Sequence, residues 1–470
     1  MEFVDLLPLF MFLALAILLF SGFPVAFILA GTGVMFAVIG IFFDVFSWAE
    51  FGAIPARIYG SIAESLILTA IPMFILMGIA LERSGVARNL LDGLQYLMRG
   101  MPGALALAVT LMGTIMAATT GIIGASVVMM TLMALPVMAE QDYDMEFAGG
   151  TIAAAGTLGI LLPPSIMLII MAELLSKSVG VLFKAAVMPG LMLATFYIFY
   201  ILLRATLDPK VAPKRPEAKE RLELHALVAL LIRSLLPPLA LISLVLGSII
   251  FGWATPTEAA GVGAAGALVL SVFARRPGMS GGDTRNIQPK RETWFEFLSD
   301  VLYRTATTNA MLFAIFIGAT IFAYTFRSLG GDDLIIDFVA HLGFGSWGLL
   351  MLIMVLVFAL GFFLDWIEIT MIVLPVFAPI IADFDFGSHV DPALTMYWFA
   401  ILMALNLQTS FLTPPFGFSI FYMKAAAGDD INLSQIYKGV IPFVIIQLIV
   451  LGLVMTFPGI ALWLPAKMSG

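Results

Sequence analysis

Apolar residues run along this chain in long unbroken blocks. Ten of the blocks have the length of a membrane-crossing helix: 6–21, 25–43, 59–81, 148–172, 181–203, 226–251, 256–274, 305–326, 393–424 and 436–463. A hydrocarbon layer about 30 Å thick takes roughly 20 helical residues at about 1.5 Å each. Two further blocks, 103–138 and 346–382, are 36 and 37 residues long, near twice one crossing, and each carries small and polar residues halfway along. The first is interrupted at Ala118-Thr119-Thr120-Gly121-Ile122-Ile123-Gly124-Ala125-Ser126, the second between Gly361 and Thr370, around Asp365-Trp366-Ile367-Glu368. Each is read as a re-entrant helical hairpin that enters and leaves on one side. The pattern predicts an all-α polytopic membrane protein.

Composition narrows the function. Of 470 residues, 61% are hydrophobic and 11% charged, against roughly 45–50% and about 25% for soluble domains. Little chain is left for an aqueous domain, so function sits in the membrane, with the lipid bilayer as solvent. The net charge of −8 comes with no basic block able to follow a phosphate backbone, which excludes nucleic acid as a partner. There are no cysteines, and His225, His341 and His389 give no metal-binding pair. No His-Glu-x-x-His motif or Ser-His pair falls in a span. No enzyme activity and no cofactor are expected. The first residues lack the positive region of a cleavable signal, so 6–20 reads as a retained span.

Positive charge tests the hairpins, because short cytoplasmic loops are rich in Lys and Arg. With both hairpins non-crossing and both termini outside, the outer face holds only Arg57, Lys177, Lys184, Arg327 and Lys467; apart from Arg233, inside a helix, the remaining Lys and Arg fall on the cytoplasmic face. Counting either hairpin as one crossing spoils the asymmetry.

The chain also repeats itself across a Pro- and charge-rich linker at 208–222. Thr119 lies 44 residues before Pro163 in Leu-Leu-Pro-Pro-Ser, and Thr370 lies 44 before Pro414 in Leu-Thr-Pro-Pro-Phe. Phe23-Pro24 matches Thr255-Pro256, Arg83-Ser84 matches Arg327-Ser328, Leu91-Asp92 matches Ile336-Asp337, and Phe183-Lys184 matches Tyr437-Lys438. An odd number of spans separates matched elements, so the halves are inverted, the arrangement that gives one protein inward- and outward-facing forms of similar energy.

Backbone breaks at membrane depth are tolerated only inside protein or along a watery cavity, which marks the hairpin tips and the Pro-Pro interruptions as the candidate site. Freed carbonyls with Thr, Ser and Asp oxygens suit a hard monovalent cation such as sodium, and helix N-termini favour a carboxylate. The parts fit an ion-coupled carrier of organic anions. Asp365 is the sharpest residue, since a carboxylate at mid-membrane is costly and usually functional; the alternative is that it caps a half-helix. Glu368 either shares that site or faces a subunit contact. Glu258, behind Pro256, is expected to cap its helix. Thr and Ser hydroxyls often bond back to their own helix, and Asn406 and Gln408 either meet substrate or tie the broken helix to its neighbours.

These residues resemble the large membrane subunit of TRAP (tripartite ATP-independent periplasmic) transporters. The likeness rests on Phe23-Pro24-Val25-Ala26, Ile71-Pro72-Met73-Phe74, Arg83-Ser84-Gly85, Pro163-Pro164-Ser165, Ala254-Thr255-Pro256-Thr257-Glu258, Phe363-Leu364-Asp365, Asn406-Leu407 and Leu412-Thr413-Pro414-Pro415-Phe416-Gly417. The resemblance implies a sodium-driven elevator in a bacterial inner membrane, importing carboxylates delivered by a periplasmic substrate-binding protein and buttressed by a small four-helix membrane subunit. It divides the chain into scaffold helices 1–58, a transport-domain half 59–207, the cytoplasmic linker 208–222, scaffold helices and a cytoplasmic loop 223–304, and a second transport-domain half 305–470. Sodium is expected at Thr119, Thr120, Gly121, Gly124, Thr157 and Pro163, and at Asp365, Thr370, Thr409 and Thr413; substrate is expected at Ser126, Ser165, Asn406 and Gln408. The family tip is commonly of a Ser-Gly-Ser type, whereas this chain has Thr119-Thr120-Gly121, so the ligating oxygens there stay open. The second tip and Gln408-Thr409-Ser410 look like a branch handling 2-oxo or aromatic monocarboxylates. The competing expectation is a stand-alone ion-coupled elevator carrier or antiporter.

Overall fold

The computed structural model describes residues 3–120, 123–213, 224–274, 293–343, 345–382 and 384–468, and every regular element among them is helical. Most of the 208–222 linker lies outside the described residues. Among the described residues, six helices are long and apolar enough to cross a membrane: Val25–Phe42, Ile123–Glu140, Val179–Leu207, Pro256–Ala274, Trp294–Ser328 and Leu433–Thr456. A seventh follows if Trp48–Ala63 and Ile67–Arg83, bent by 60° at their break, form one span.

Three of the apolar blocks, 59–81, 148–172 and 393–424, are bent or interrupted rather than continuous. Block 148–172 is Met145–Thr157, a 3-10 turn Leu158–Ile160, and a restart at Ile166–Leu174. Block 393–424 is Thr395–Leu412 followed by Phe418–Ala427. In both, adjacent prolines remove two ladder donors, and the Pro163–Pro164 and Pro414–Pro415 bonds are cis. The over-long blocks are each two helices: Ala104–Thr120 with Ile123–Glu140, and Ser346–Leu360 with Trp366–Ala382, each pair in mutual contact. Ile123–Glu140 is long enough to cross, so length does not separate a returning arm from a crossing.

The element order runs twice. Leu7–Leu19, Val25–Phe42, the helix ending at Arg83, Val86–Leu97, the paired arms, the interrupted helix and Val179–Leu207 are followed by Leu224–Ile250, Pro256–Ala274, the helix ending at Ser328, Gly331–Leu342, paired arms, an interrupted helix and Leu433–Thr456. Contacts cross between the two runs. Val25–Phe42 packs on Trp294–Ser328, and Pro256–Ala274 packs on Ala70–Arg83. Met145–Thr157 lies against Leu433–Thr456 so closely that a Cβ on Gly150 would fall 2.0 Å from the Gly439 carbonyl oxygen. Small residues at membrane helix crossings permit this approach.

One expected pairing does not hold. Thr119 closes the first arm of its pair, whereas Thr370 lies in the second arm of the other. Pro136 and Pro379, both in second arms, match better. The shared 44-residue spacing arises because Ala382 to Thr395 is a longer connection than Glu140 to Met145 and offsets the shift.

Helix starts are closed locally. Ser47 with Glu50, and Thr293 with Glu296, form reciprocal capping boxes. Glu258 caps as expected, accepting from the Thr255 N–H at 2.8 Å while its own N–H donates to the Thr255 hydroxyl at 3.3 Å.

Candidate ion and substrate site

The second break runs from Gly361 to Asp365, where Trp366–Ala382 begins. Asp365 Oδ1 accepts from the Trp366 N–H at 2.8 Å, and the Asp365 N–H donates to Glu368 Oε2 at 3.1 Å. Both carboxylates therefore take the capping role at the N-terminus of the second arm, and both stay half-buried. They gather negative charge at one point of an apolar arm. Thr370, one turn on, is fully buried, and its hydroxyl has no hydrogen-bond partner.

The interrupted helices lie beside these tips. At the first, Pro163 and Pro164 leave the Gly159 and Ile160 carbonyls without ladder donors. The Ser165 hydroxyl donates to the Ile160 oxygen at 2.5 Å. At the second, the Phe411 carbonyl loses its ladder donor to Pro415, whereas the Ser410 carbonyl accepts from the Thr413 N–H at 3.2 Å. Hydroxyls of Thr157, Thr409 and Thr413 donate to Ala154, Leu405 and Thr409 at 2.8, 2.8 and 2.7 Å. Bonding back in this way spends the hydrogen and leaves oxygen lone pairs able to face a cation.

Thr157 and Gln408 each stand six residues before the first proline of their pair. They meet: Gln408 Nε2 donates to Thr157 Oγ1 at 3.4 Å, and Gln408 Oε1 is buried without a partner. Asn406 takes the tying alternative, donating to the Met354 carbonyl in the arm Ser346–Leu360 at 2.6 Å. Ser419 ties the second restart to the first interrupted helix through the Ala153 carbonyl at 3.1 Å. A Cβ on Gly361 would fall 2.0 Å from Ser410 Oγ, so the second tip sits directly on the second interrupted helix.

The first hairpin meets the second restart: Gly124 lies under the Tyr422 ring, whose carbons would stand 3.0–3.2 Å from a Cβ there. Ser126 is buried nearby in the same arm as Gly124. Thr119 and Thr120 end their helix; their side chains, and all of Gly121, lie outside the described residues. Among the described residues no group of three His, Cys, Asp or Glu could hold a metal ion, so any cation would meet mostly neutral oxygens.

A family model for the tripartite ATP-independent periplasmic transporter, DctM component, matches residues 12–460. The chain belongs to this family. It is 31% identical over 404 residues to the C4-dicarboxylate TRAP transporter large permease protein DctM of Pseudomonas aeruginosa, covering 86% of this chain and 87% of that protein. It is 26% identical to the sialic acid TRAP transporter large permease protein SiaM of Vibrio cholerae, covering 96% and 97%. The fold is similar to that of the Alcanivorax borkumensis YdaH transporter, with a TM-score of 0.58 at 14% identity over 89% of this chain and 88% of that one. This DctM-family chain is thus a multi-pass membrane permease component of a secondary transporter and not an enzyme.

Several residues of this permease escape a reading of the sequence. Tyr422 covers Gly124 of the first hairpin, yet it sits in an apolar run with no local signal. Tyr197 and Gln447, both fully buried on neighbouring helices, carry unpartnered polar atoms close to Thr157; a lone amide in the span 436–463 was the available sign. Two cavities flank the tips. One of about 250 Å³ is lined by Glu82, Ala125, Arg304 and Thr308 among others, and one of about 630 Å³ lies between Arg57, Arg327 and Met371.

Proposed function

We propose that this permease imports an organic carboxylate together with sodium, by an elevator movement of a transport domain built around the two hairpins. The single observation carrying the reading is the meeting of the two Pro-Pro-interrupted helices through Thr157 and Gln408, beside both hairpin breaks. Carbonyls stripped of their donors, with the lone pairs of Thr157, Thr409 and Thr413 and the charge of Asp365, supply the oxygen ligands sodium needs. Ser126, Ser165 and Gln408 are the groups nearest to a bound carboxylate, and the crossed packing of two similar runs supports an inverted repeat. Names of relatives print a C4-dicarboxylate, sialic acid and isethionate, which have a small organic anion in common; the carboxylate is this reading's choice among them.

The transport domain takes in 59–207 and 305–470, and the scaffold 1–58 and 223–304, with both hairpins re-entrant and 208–222 as a cytoplasmic linker. A periplasmic binding protein delivers substrate, a small four-helix subunit braces the scaffold, and the assembly sits in a bacterial inner membrane with both termini of this chain periplasmic. The test is reconstitution in liposomes with both partners and a panel of radiolabelled carboxylates. Uptake of one of them is expected only under an inward sodium gradient and only with the binding protein present. Uptake by this chain alone, or uptake indifferent to sodium, would overturn the reading.

A further inference from the structure

The cavity of about 630 Å³ has the size of a small-molecule pocket and opens between the bend at Arg57–Ser61, the C-terminal half of Trp294–Ser328, and the second hairpin arm. Its polar lining is Arg57, Ser61, Thr320, Tyr324, Arg327 and Ser328, and no Asp or Glu lines it. The Arg57 guanidinium lies 5.4 Å above the Tyr324 ring and makes no ion pair among the described residues. Arg327 is held differently. Its Nε stands 3.6 Å from Asp332, a loose pair, and its Nη2 donates to the Pro375 carbonyl. That carbonyl is open because Pro379, one turn on, has no N–H to give it. Arg327 thereby fastens the long helix to the hairpin arm through a bond that in an ordinary helix would stay internal.

We propose that Arg57 and Arg327 form a receiving subsite for the carboxylate of the incoming substrate, separate from the hairpin-tip site and upstream of it. Two guanidinium forks facing one cavity, with hydroxyls between them, match a planar carboxylate. An arriving anion takes the place of Asp332 and competes for the guanidinium that grips Pro375, so loading loosens the second arm. The role in import rests on the transport reading, but the binding does not.

The test is chemical. The full chain in phosphatidylcholine nanodiscs is treated with 2,3-butanedione, and adducts at each arginine are counted by peptide mass spectrometry. Pyruvate, benzoate or succinate is present, or its uncharged amide. At least one carboxylate is expected to slow modification of both Arg57 and Arg327 about fivefold while its amide does not, with Arg83 and Arg304 unchanged. Arg57→Gln should abolish the protection at Arg327, and Arg57→Lys should keep part of it. In reconstituted transport Arg57→Gln should raise KM about tenfold, the scale of one lost charge-assisted hydrogen bond, with little change in maximal rate. No protection by any of the three anions, or equal protection at Arg83 and Arg304, would overturn the proposal. The labelling needs no sodium and no binding protein. Protection without sodium-driven uptake therefore sinks only the transport reading, and uptake without protection sinks only the subsite.

Discussion

Asp365 stands between two roles, and two substitutions separate them. As a cap, it needs only an acceptor at Oδ1 for the Trp366 N–H, now 2.8 Å away. Asn supplies the same oxygen and caps as well as Asp, so Asp365→Asn should cost no more than a few tenths of a kcal/mol, whereas Asp365→Ala should cost about 1 kcal/mol. As part of an ion site, it contributes its charge. A cation about 5 Å from the carboxylate, at an effective dielectric of about 20, gains about 3 kcal/mol, some two orders of magnitude in affinity. Asp365→Asn is therefore expected to unfold in detergent within a degree or two of the native protein while its half-saturating sodium concentration in liposome uptake rises by about 10- to 100-fold. The spread allows for screening and relaxation around the lost charge. Unchanged sodium dependence in Asp365→Asn, alongside a stability loss confined to Asp365→Ala, would reduce Asp365 to a helix cap and remove it from the ion path.

Gly150→Ala would drive a methyl to 2.0 Å from the Gly439 carbonyl oxygen, forcing two helices apart by about 1 Å at an overpacking cost of about 1–3 kcal/mol; a lowered unfolding midpoint is expected, against no loss for Gly452→Ala, whose Cβ meets nothing within 4 Å. Gly361→Ala collides with Ser410 Oγ at 2.0 Å and should abolish uptake, with partial recovery in the double variant carrying Ser410→Gly, read by transport assay. Recovery without the second change would show that the tip does not rest on that helix. Glu146→Gln breaks the 3.1 Å pair with Lys438, whose side chain is 63% exposed, and should shift stability by less than about 1 kcal/mol in a detergent melt.

Much of this architecture was legible because the bilayer makes the code coarse. Apolar blocks, their lengths and paired prolines located the interruptions, the double-length blocks and their breaks to within a few residues. Register was less readable. Pairing Thr119 with Thr370 failed because equal spacing to a proline counts loop residues as well as helix residues, and the two connecting loops differ in length. Val86–Leu97 was also passed over: its buried Val86, Ala87, Leu90, Leu91 and Leu94 form a single stripe beside exposed Arg88 and Asp92, too short and too polar to register as a span.

Residues that join distant segments were the least visible, and the reason is physical. Tyr422 closes over Gly124 only because Phe418–Ala427 packs against Ile123–Glu140, a contact spanning nearly three hundred residues of chain. No local pattern encodes such a contact, since an aromatic ring in an apolar run costs nothing wherever it points. Gln408 was visible, because an amide at membrane depth must find a partner or pay for desolvation. Its partner was not, because Thr157 looks like any helix hydroxyl until the second half of the chain is folded against it. Polar atoms inside the bilayer thus advertise that a site exists, while the packing of one half on the other decides what the site contains.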